Sequence, residues 1–529
     1  MTARTVSEAP ASPSSRRGLV PARILRMELR RSAFIWVIPL LAVLFIYDPY
    51  RTASTYSALW PLRSTVVLNK FWPDIVVFAA GFSAWSGTRE GRRNLSDLLG
   101  TTARTAWTRQ LCSLAGTAFW VVASFLAGTV VLYVSTSQAA TWGGPLIWPV
   151  IVGVVGMLAI CAVSFMFGAL FPGRFTAPVV AVGITIVTLA AFRQAVGDNG
   201  GSSGAIGVLS PDGSVPGNDW GLFYPVSVGV PIVQVMFMLG VTLAAIGVLG
   251  LSPRTGGVGW RGALSAVAAG GARLRTIAVS LLAVGVALAV VAFGLAETAN
   301  VSDPTSTLQI PAIDNTLAFS NAIPYTPACS SAGSAFPAGG FQICVHPAYQ
   351  PYLPWVTGAL YPVIAEVSGA PGVPTTAREI SASSLPPEVL QGFAIGQIVG
   401  GTYQFSLSNV LGFSPTASEL RNSLQQDLVR AVIIGSSGKF VTTQGGQQAY
   451  QPDFGTSAQQ AVMDGLLESL GAQPYPRPQP GGNGPAVTPA QILAAAAKFA
   501  VLPAATRHAW LAANLTALKA GTITLAQVP

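Results

Sequence analysis

Seven stretches of this chain are too apolar to sit in water: Ser32 to Tyr47, Phe71 to Ser86, Gln110 to Val134, Pro145 to Phe171, Ala177 to Phe192, Val226 to Leu251 and Thr276 to Ala296. A bilayer core takes roughly twenty helical residues, with a lower limit near seventeen. The first, second and fifth stretches are short, so they would cross with little tilt or with help from neighbouring residues. Together the seven predict an all-α polytopic membrane helix bundle of about seven transmembrane helices. Composition agrees, since 51% of the 529 residues are hydrophobic, only 9% are charged and the mean hydropathy is +0.53, which excludes a soluble enzyme of this size.

A net charge of +9 could indicate nucleic acid, but 25 of the 29 basic residues are arginine and they gather in loops beside apolar segments. Membrane orientation explains them better, and no nucleic-acid partner is expected. With the N-terminus inside, seventeen basic residues fall in inner segments against four (Arg51, Arg63, Lys70, Arg193) in outer ones. That bias puts the N-terminus in the cytoplasm of a multi-pass plasma-membrane protein, and an odd number of crossings puts the C-terminal part outside. Arginine with abundant Ala, Gly and Val also fits a GC-rich bacterial genome. Residues 1–18 read as a disordered tail rather than a cleavable signal, and Pro21 to Arg31 interleaves Ile24, Leu25, Met27 and Leu29 with Arg23, Arg26, Arg30 and Arg31. Such a segment suits an amphipathic helix on the inner leaflet. The chain thus divides into residues 1–31 (tail and amphipathic helix), 32–251 (six-helix core), 252–296 (inner loop and seventh span) and 297–529 (outer domain).

The inner segment Gly87 to Leu111 holds more than a linker needs. It carries five arginines (Arg89, Arg92, Arg93, Arg104 and Arg109), and Leu95, Leu98, Leu99 and Thr102 recur at i, i+3, i+4 and i+7, on one face of a short helix flanked by Ser96 and Asp97. This segment resembles the loop between the second and third helices of ABC-2 type transporter membrane subunits, which runs roughly Arg-Glu-x-Gly-Thr-Leu-Glu-x-Leu-Leu-x-Thr-Pro-x-x-Arg. The matching positions are Arg89, Glu90, Gly91, Leu95, Asp97, Leu98, Leu99, Thr101 or Thr102, and Arg104. Arg92 and Arg93 lengthen the segment and Ala103 stands where the family often has proline, and the match covers about twenty residues. The resemblance implies a permease subunit that exports a substrate, a separate ABC ATPase subunit gripping this loop and touching the amphipathic helix, and a second permease subunit completing a homodimer or heterodimer. The plain alternative is a positive-inside loop with a solvated charge run.

Residues 297–529 are a different material: Pro/Gly-punctuated, with eleven acidic and eight basic residues and size enough for a core of their own. Helical spacing or capping marks Pro351 to Ser368, Thr416 to Ile434, Thr456 to Leu470, Pro489 to Val501 and Ala504 to Lys519. Gln397 to Ser406 and Lys439 to Thr443 read as strands, so a mostly helical α+β extracytoplasmic domain is expected. Arg193 to Pro225 reads as a flexible outer loop ending in an interfacial aromatic belt at Trp220, Phe223 and Tyr224.

Cys329 and Cys344 lie outside, fifteen apart, where an oxidising compartment favours a disulfide; Cys112 and Cys161 lie in spans as small packing residues. The sharper alternative joins Cys329, Cys344, His346 and His508 into a metal site, though zinc sites show tighter paired spacing. His346 could also act as a general base with Glu366, or simply make a structural hydrogen bond. Gly435 to Phe440 is a poor phosphate loop, with Ile433 at its first glycine position and Phe440 in place of Ser/Thr. The chain shows no nucleotide site, catalytic residue, cofactor or metal set of its own, so ATP would act through another subunit. Asp74 is the one acidic residue near apolar depth, read as interfacial. A membrane-anchored extracytoplasmic binding or sensor protein is the competing class, which its many crossings disfavour.

Overall fold

The computed structural model describes residues 26–27, 29–30, 47, 51, 56–68, 72–92, 106–196, 205–211, 221–225, 228–252, 272–297, 323–331, 340–382, 396–408, 416–435, 438–442, 448–452, 455–474 and 488–529. The first expected span and the inner loop after Leu251 fall almost wholly outside them. The described chain is mostly helical, with a helix bundle below and a domain carrying a small sheet above.

The bundle opens with a short helix, α1 (Trp60–Val66), whose Pro61 occupies the first turn, where no backbone donor is lost. Next come α2 (Trp72–Arg92), α3 (Ala106–Ala139), α4 (Trp148–Leu170), α5 (Thr176–Val196), the one-turn α6 (Ala205–Leu209), α7 (Gly229–Leu251) and α8 (Ala272–Glu297). Four of these, α3, α4, α7 and α8, are long and apolar enough to cross a membrane, whereas the apolar part of α5 covers Thr176–Ala191. α2 packs between α4 and α5, and α7 lies along α8. Side chains interlock around Trp72, Ile75, Phe125, Leu132, Met157 and Phe165, all buried. The outward faces are apolar too: Val179, Val182, Ile186 and Val187 on α5 and Val284, Val290 and Val291 on α8 are exposed. This inside-and-outside apolarity is what a bundle solvated by lipid requires.

Glycines set the helix spacings. A side chain at Gly240 or Gly285 would collide with the other helix of the α7–α8 pair, and one at Gly87 or Gly168 would collide across α2 and α4. Two helices also run past their expected ends, α2 from Ser86 to Arg92 and α3 from Gln110 back to Ala106. The charged residues mark where the apolar slab stops, not where the backbone stops being helical.

The upper domain holds a five-stranded sheet in the order β1-β2-β3-β5-β4, made of β1 (Ala328–Ser331), β2 (Gln342–Val345), β3 (Thr376–Glu379), β4 (Gly396–Val399) and β5 (Thr402–Phe405). β2, β3 and β5 are parallel, and an antiparallel strand closes each edge. Between β2 and β3 runs α9 (Leu353–Val367), and after β5 come α10 (Ala417–Ile433), a hairpin of β6 (Gly438–Thr442) and β7 (Gln448–Pro452), α11 (Ser457–Ser469), α12 (Pro489–Ala500) and α13 (Ala504–Lys519). Thr416, Thr456 and Thr488 each cap a helix and receive a return bond from Glu419, Gln459 or Gln491, three reciprocal capping boxes. The strand expected over Gln397 to Ser406 is in fact two, because Gly400 and Gly401 both take positive φ (55° and 79°) and turn the chain back on itself.

By composition, α12 and α13 would pass for a span broken by their 117° bend. They are not one, since Phe499, Leu511, Leu515 and Leu518 complete the upper core with Val356, Leu360, Tyr403 and Leu424.

The upper domain is packed onto the bundle. Leu59 and Leu62, at the start of α1, belong to the upper core, while Val66, Val67 and Leu68 belong to the bundle core. Phe223 and Tyr224 are 5% and 3% exposed, and the Phe223 carbonyl accepts from the Ile323 amide at 2.8 Å. They therefore form part of a domain junction rather than the lipid-facing aromatic belt expected of them, because the upper domain covers them. Trp220 lies outside the described residues.

Candidate functional site

Two places combine polar chemistry with a mechanical position: the Arg92 end of α2 and the junction between the bundle and the upper domain. At the first of these, Arg89, Glu90, Gly91 and Arg92 form the last turn of α2. Arg109 of α3 donates from Nε to Glu90 Oε1 at 3.5 Å, clasping the helices on either side of the connecting segment. Both side chains are partly exposed, so the pair contributes under about 1 kcal/mol. The Arg92 guanidinium stacks 3.5 Å from the centroid of the Trp85 ring. Gly91 lies against Pro172 of the α4–α5 turn, leaving no room for a side chain. It is a packing glycine within a helix, and α2 meets its neighbours as a rigid rod down to its last turn. Arg93, Leu95, Asp97, Leu98, Leu99 and Arg104 lie outside the described residues, as do Arg23 and Arg31.

Arg26 and Arg30 are exposed and helical, and the Leu29 carbonyl between them accepts from Trp120 Nε1 at 3.0 Å, which seats this amphipathic segment on α3. Trp120 lies nineteen residues from Ala139, about 29 Å at 1.5 Å per residue and close to the thickness of a bilayer core. Arg109 is eleven residues further along, roughly 16 Å beyond that level. The Glu90–Arg109 clasp therefore lies toward the end of the bundle opposite the upper domain.

At the domain junction, His346 is fully buried among Tyr325, Trp142, Phe223 and Tyr349, with ring centroids at 4.3, 4.6, 4.9 and 6.4 Å. Its Nδ1 accepts from the Ala348 amide at 3.2 Å, capping the helical turn Pro347–Tyr352, and its own amide donates to Glu379 Oε2 at 2.7 Å. Nε2 faces the Leu222 backbone without a hydrogen bond of good geometry. Thr141, just beyond α3, donates to the Pro347 carbonyl at 3.0 Å. Residues from the α3–α4 connection, from the segment before α7 and from the upper domain thus meet on one imidazole.

Burial holds the His346 pKa down at about 4, against 6.5 when free. The depressed value fixes the sign: an unfolded chain takes up a proton below about pH 6.5 that the folded one refuses until about pH 4. Stability present above pH 6.5 is lost as pH falls through that window, by at most about 3 kcal/mol. Melting curves of the wild type and His346→Gln between pH 7.5 and 4.5 check this, the variant being expected to lose the part of the slope that His346 supplies.

Cys329 and Cys344 are register partners on β1 and β2, with Cα atoms 4.1 Å apart, and form a disulfide. Both sulfurs are therefore unavailable to a metal. His508 sits elsewhere, its Nδ1 3.1 Å from the Glu366 carbonyl, and among the described residues no cluster of three or more His, Cys, Asp or Glu is poised for an ion. The pairing of His346 with Glu366 does not form either, since the Glu366 carboxylate bonds Arg507 at 2.8 Å. At Gly435 to Phe440 a helix leads into a strand, the reverse of a phosphate loop. Asp74 is exposed in the first turn of α2, where the helix dipole favours a carboxylate.

Sequence reasoning missed α1 and the residues that cage His346. The signal for α1 was present, since Trp-Pro followed by an apolar run is a helix start; the cage is made by distant parts of the chain and has no local signature. Comparison with protein-family models, with curated proteins and with solved structures finds no match for this chain.

Proposed function

We propose that the chain is the membrane-spanning permease subunit of an ABC exporter of the ABC-2 kind, driven by a separate ATPase subunit. It would work as a homodimer or heterodimer in the plasma membrane, with seven spans, a cytoplasmic N-terminus and an extracytoplasmic C-terminal domain. The observation that carries this reading is the last turn of α2: the Arg89-Glu90-Gly91 run that resembles the family's coupling loop ends a helix running through the bundle core, at the side away from the upper domain. Force applied at that tip would move α2 as a rod, with α4 and α5 packed along it, and so change access across the membrane. The mechanism is mechanical, and the chemistry of ATP belongs to the partner. Arg26 and Arg30, exposed beside Leu29, offer a second cationic contact for the same partner.

The test is purification of the whole chain in mild detergent, followed by mass spectrometry of what stays bound. An ATPase subunit is expected to accompany the wild type and to be lost from the Glu90→Ala/Arg92→Ala/Arg93→Ala variant, while the variant elutes as a folded protein. Glu90 is the informative position because its ion pair adds little to stability; a change at Gly91 would disturb the Pro172 seat as well. Absence of any ATPase under conditions that preserve such complexes would overturn the reading in favour of a membrane-anchored binding or sensor protein.

A further inference from the structure

The run Pro347 to Ala365 contains no charged residue, in a domain with nineteen charged side chains. Its start is fixed at the level of the span ends. The Pro347 carbonyl is bonded to Thr141, two residues beyond α3. Tyr352 packs against the cluster that contains Leu59 and Leu62, and Arg63, next to Leu62, reaches the Thr136 hydroxyl in the last turn of α3 at 3.4 Å. Tyr352 and Trp355 stand edge to face at 5.5 Å, and Trp355 is 38% exposed, beside exposed Pro351, Pro354 and Gly358. The exposed side of this turn is therefore uncharged, apolar or small apart from the Gln350 amide, tipped with an indole, and held at the height where the helices of the bundle end.

We propose that the first turn of α9 rests in the headgroup region of the outer leaflet, with Trp355 as its anchor. An indole combines an apolar body with one N–H donor, so a boundary between hydrocarbon and water suits it better than either phase. A lipid surface accounts for an exposed indole held level with the span ends. The anchor would supply the aromatic contact that the buried Phe223 and Tyr224 do not. This inference rests on the bundle being membrane-spanning, and the experiment separates the two.

The full chain, with Cys112→Ser and Cys161→Ala and the disulfide left intact, is reconstituted in phosphatidylcholine vesicles and spin-labelled at Trp355→Cys, at Leu493→Cys or at Val187→Cys. Collision with oxygen and with a water-soluble nickel chelate is then compared. Val187 on α5 and Leu493 on α12 are both exposed, 66% and 51%, and serve as the lipid and water references. The label at position 355 is expected to give an oxygen-to-nickel ratio several-fold above that at 493. A ratio equal to that at 493, with 187 lipid-like, overturns the anchor alone, and a water-like 187 overturns the membrane placement itself. Exclusion of both reagents at 355 also overturns the proposal, because it means a protein surface covers the site. An unlabelled check uses dibrominated phosphatidylcholine, which is expected to quench a larger share of emission in the wild type than in Trp355→Phe; equal quenching counts against the anchor.

Discussion

Replacing Gly168 with leucine is expected to cost about 3 kcal/mol or more, the upper end of overpacking penalties, and to leave little monodisperse protein after mild heating in detergent. A Cβ at this position would fall on the backbone carbonyl of Ala84 and within 3.0 Å of the Ala84 Cα. Backbone cannot rotate away as a side chain can. α2 would have to withdraw from α4, and the damage would spread, because Gly87 seats against Phe165 and Ala169 of the same seam. Gly183→Leu is the control, since it lies on α5 with nothing within 4 Å and is expected to melt like the wild type. Fluorescence-detected size exclusion after a temperature series measures both. Equal melting of Gly168→Leu and wild type would show that the two helices are not in close contact.

Arg507→Ala is the second large effect, expected at about 3 to 5 kcal/mol, the range for breaking a buried ion pair by removing one member. The guanidinium bonds both Glu366 oxygens, at 2.8 and 3.3 Å, and also the carbonyls of Ala500 and Leu502 at 3.0 and 2.6 Å. Those carbonyls lie at the bend between α12 and α13. Alanine would strand a nearly buried carboxylate and two helix-end acceptors together. Glu366→Gln keeps an acceptor for the guanidinium, which stays bonded to the Ala500 and Leu502 carbonyls, and is expected to cost less. Limited proteolysis of the purified chain reads this out through cleavage between α12 and α13, and resistance equal to wild type would mean that Arg507 does not pin the bend.

What could be read from the sequence was whatever local chemistry decides. The five upper helices follow from spacing, and three of them announce their first residue through Thr-x-x-Glu or Thr-x-x-Gln. The Cys329–Cys344 bridge followed from compartment and spacing, and the structure adds that a strand pair holds the two residues opposite each other. The short strands β1 to β3 were not legible, because four-residue elements such as Ala328–Ser331 carry too little periodicity to stand out. Phe223 and Tyr224 were misplaced for another reason, since the side chains that bury them come from about a hundred residues further along the chain. Of the residues expected to form a coupling loop, Arg89 to Arg92 proved helical instead of looped, because charge is a guide to solvent and not to backbone conformation. The leucines of the same motif rest on the resemblance alone.

The split allegiance of α1 carries a consequence for how the protein is made. Leu59 and Leu62 emerge from the ribosome early, yet the upper-core residues that bury them, such as Val345 and Leu360, are translated about 300 residues later. At cellular synthesis rates that interval is roughly 15 to 60 s. For that time the end of the bundle that the upper domain covers stands open. Completion of the C-terminal domain is thus the last step in closing the membrane part, and a nascent chain interrupted before it would present an apolar wound to the cell's quality-control proteases.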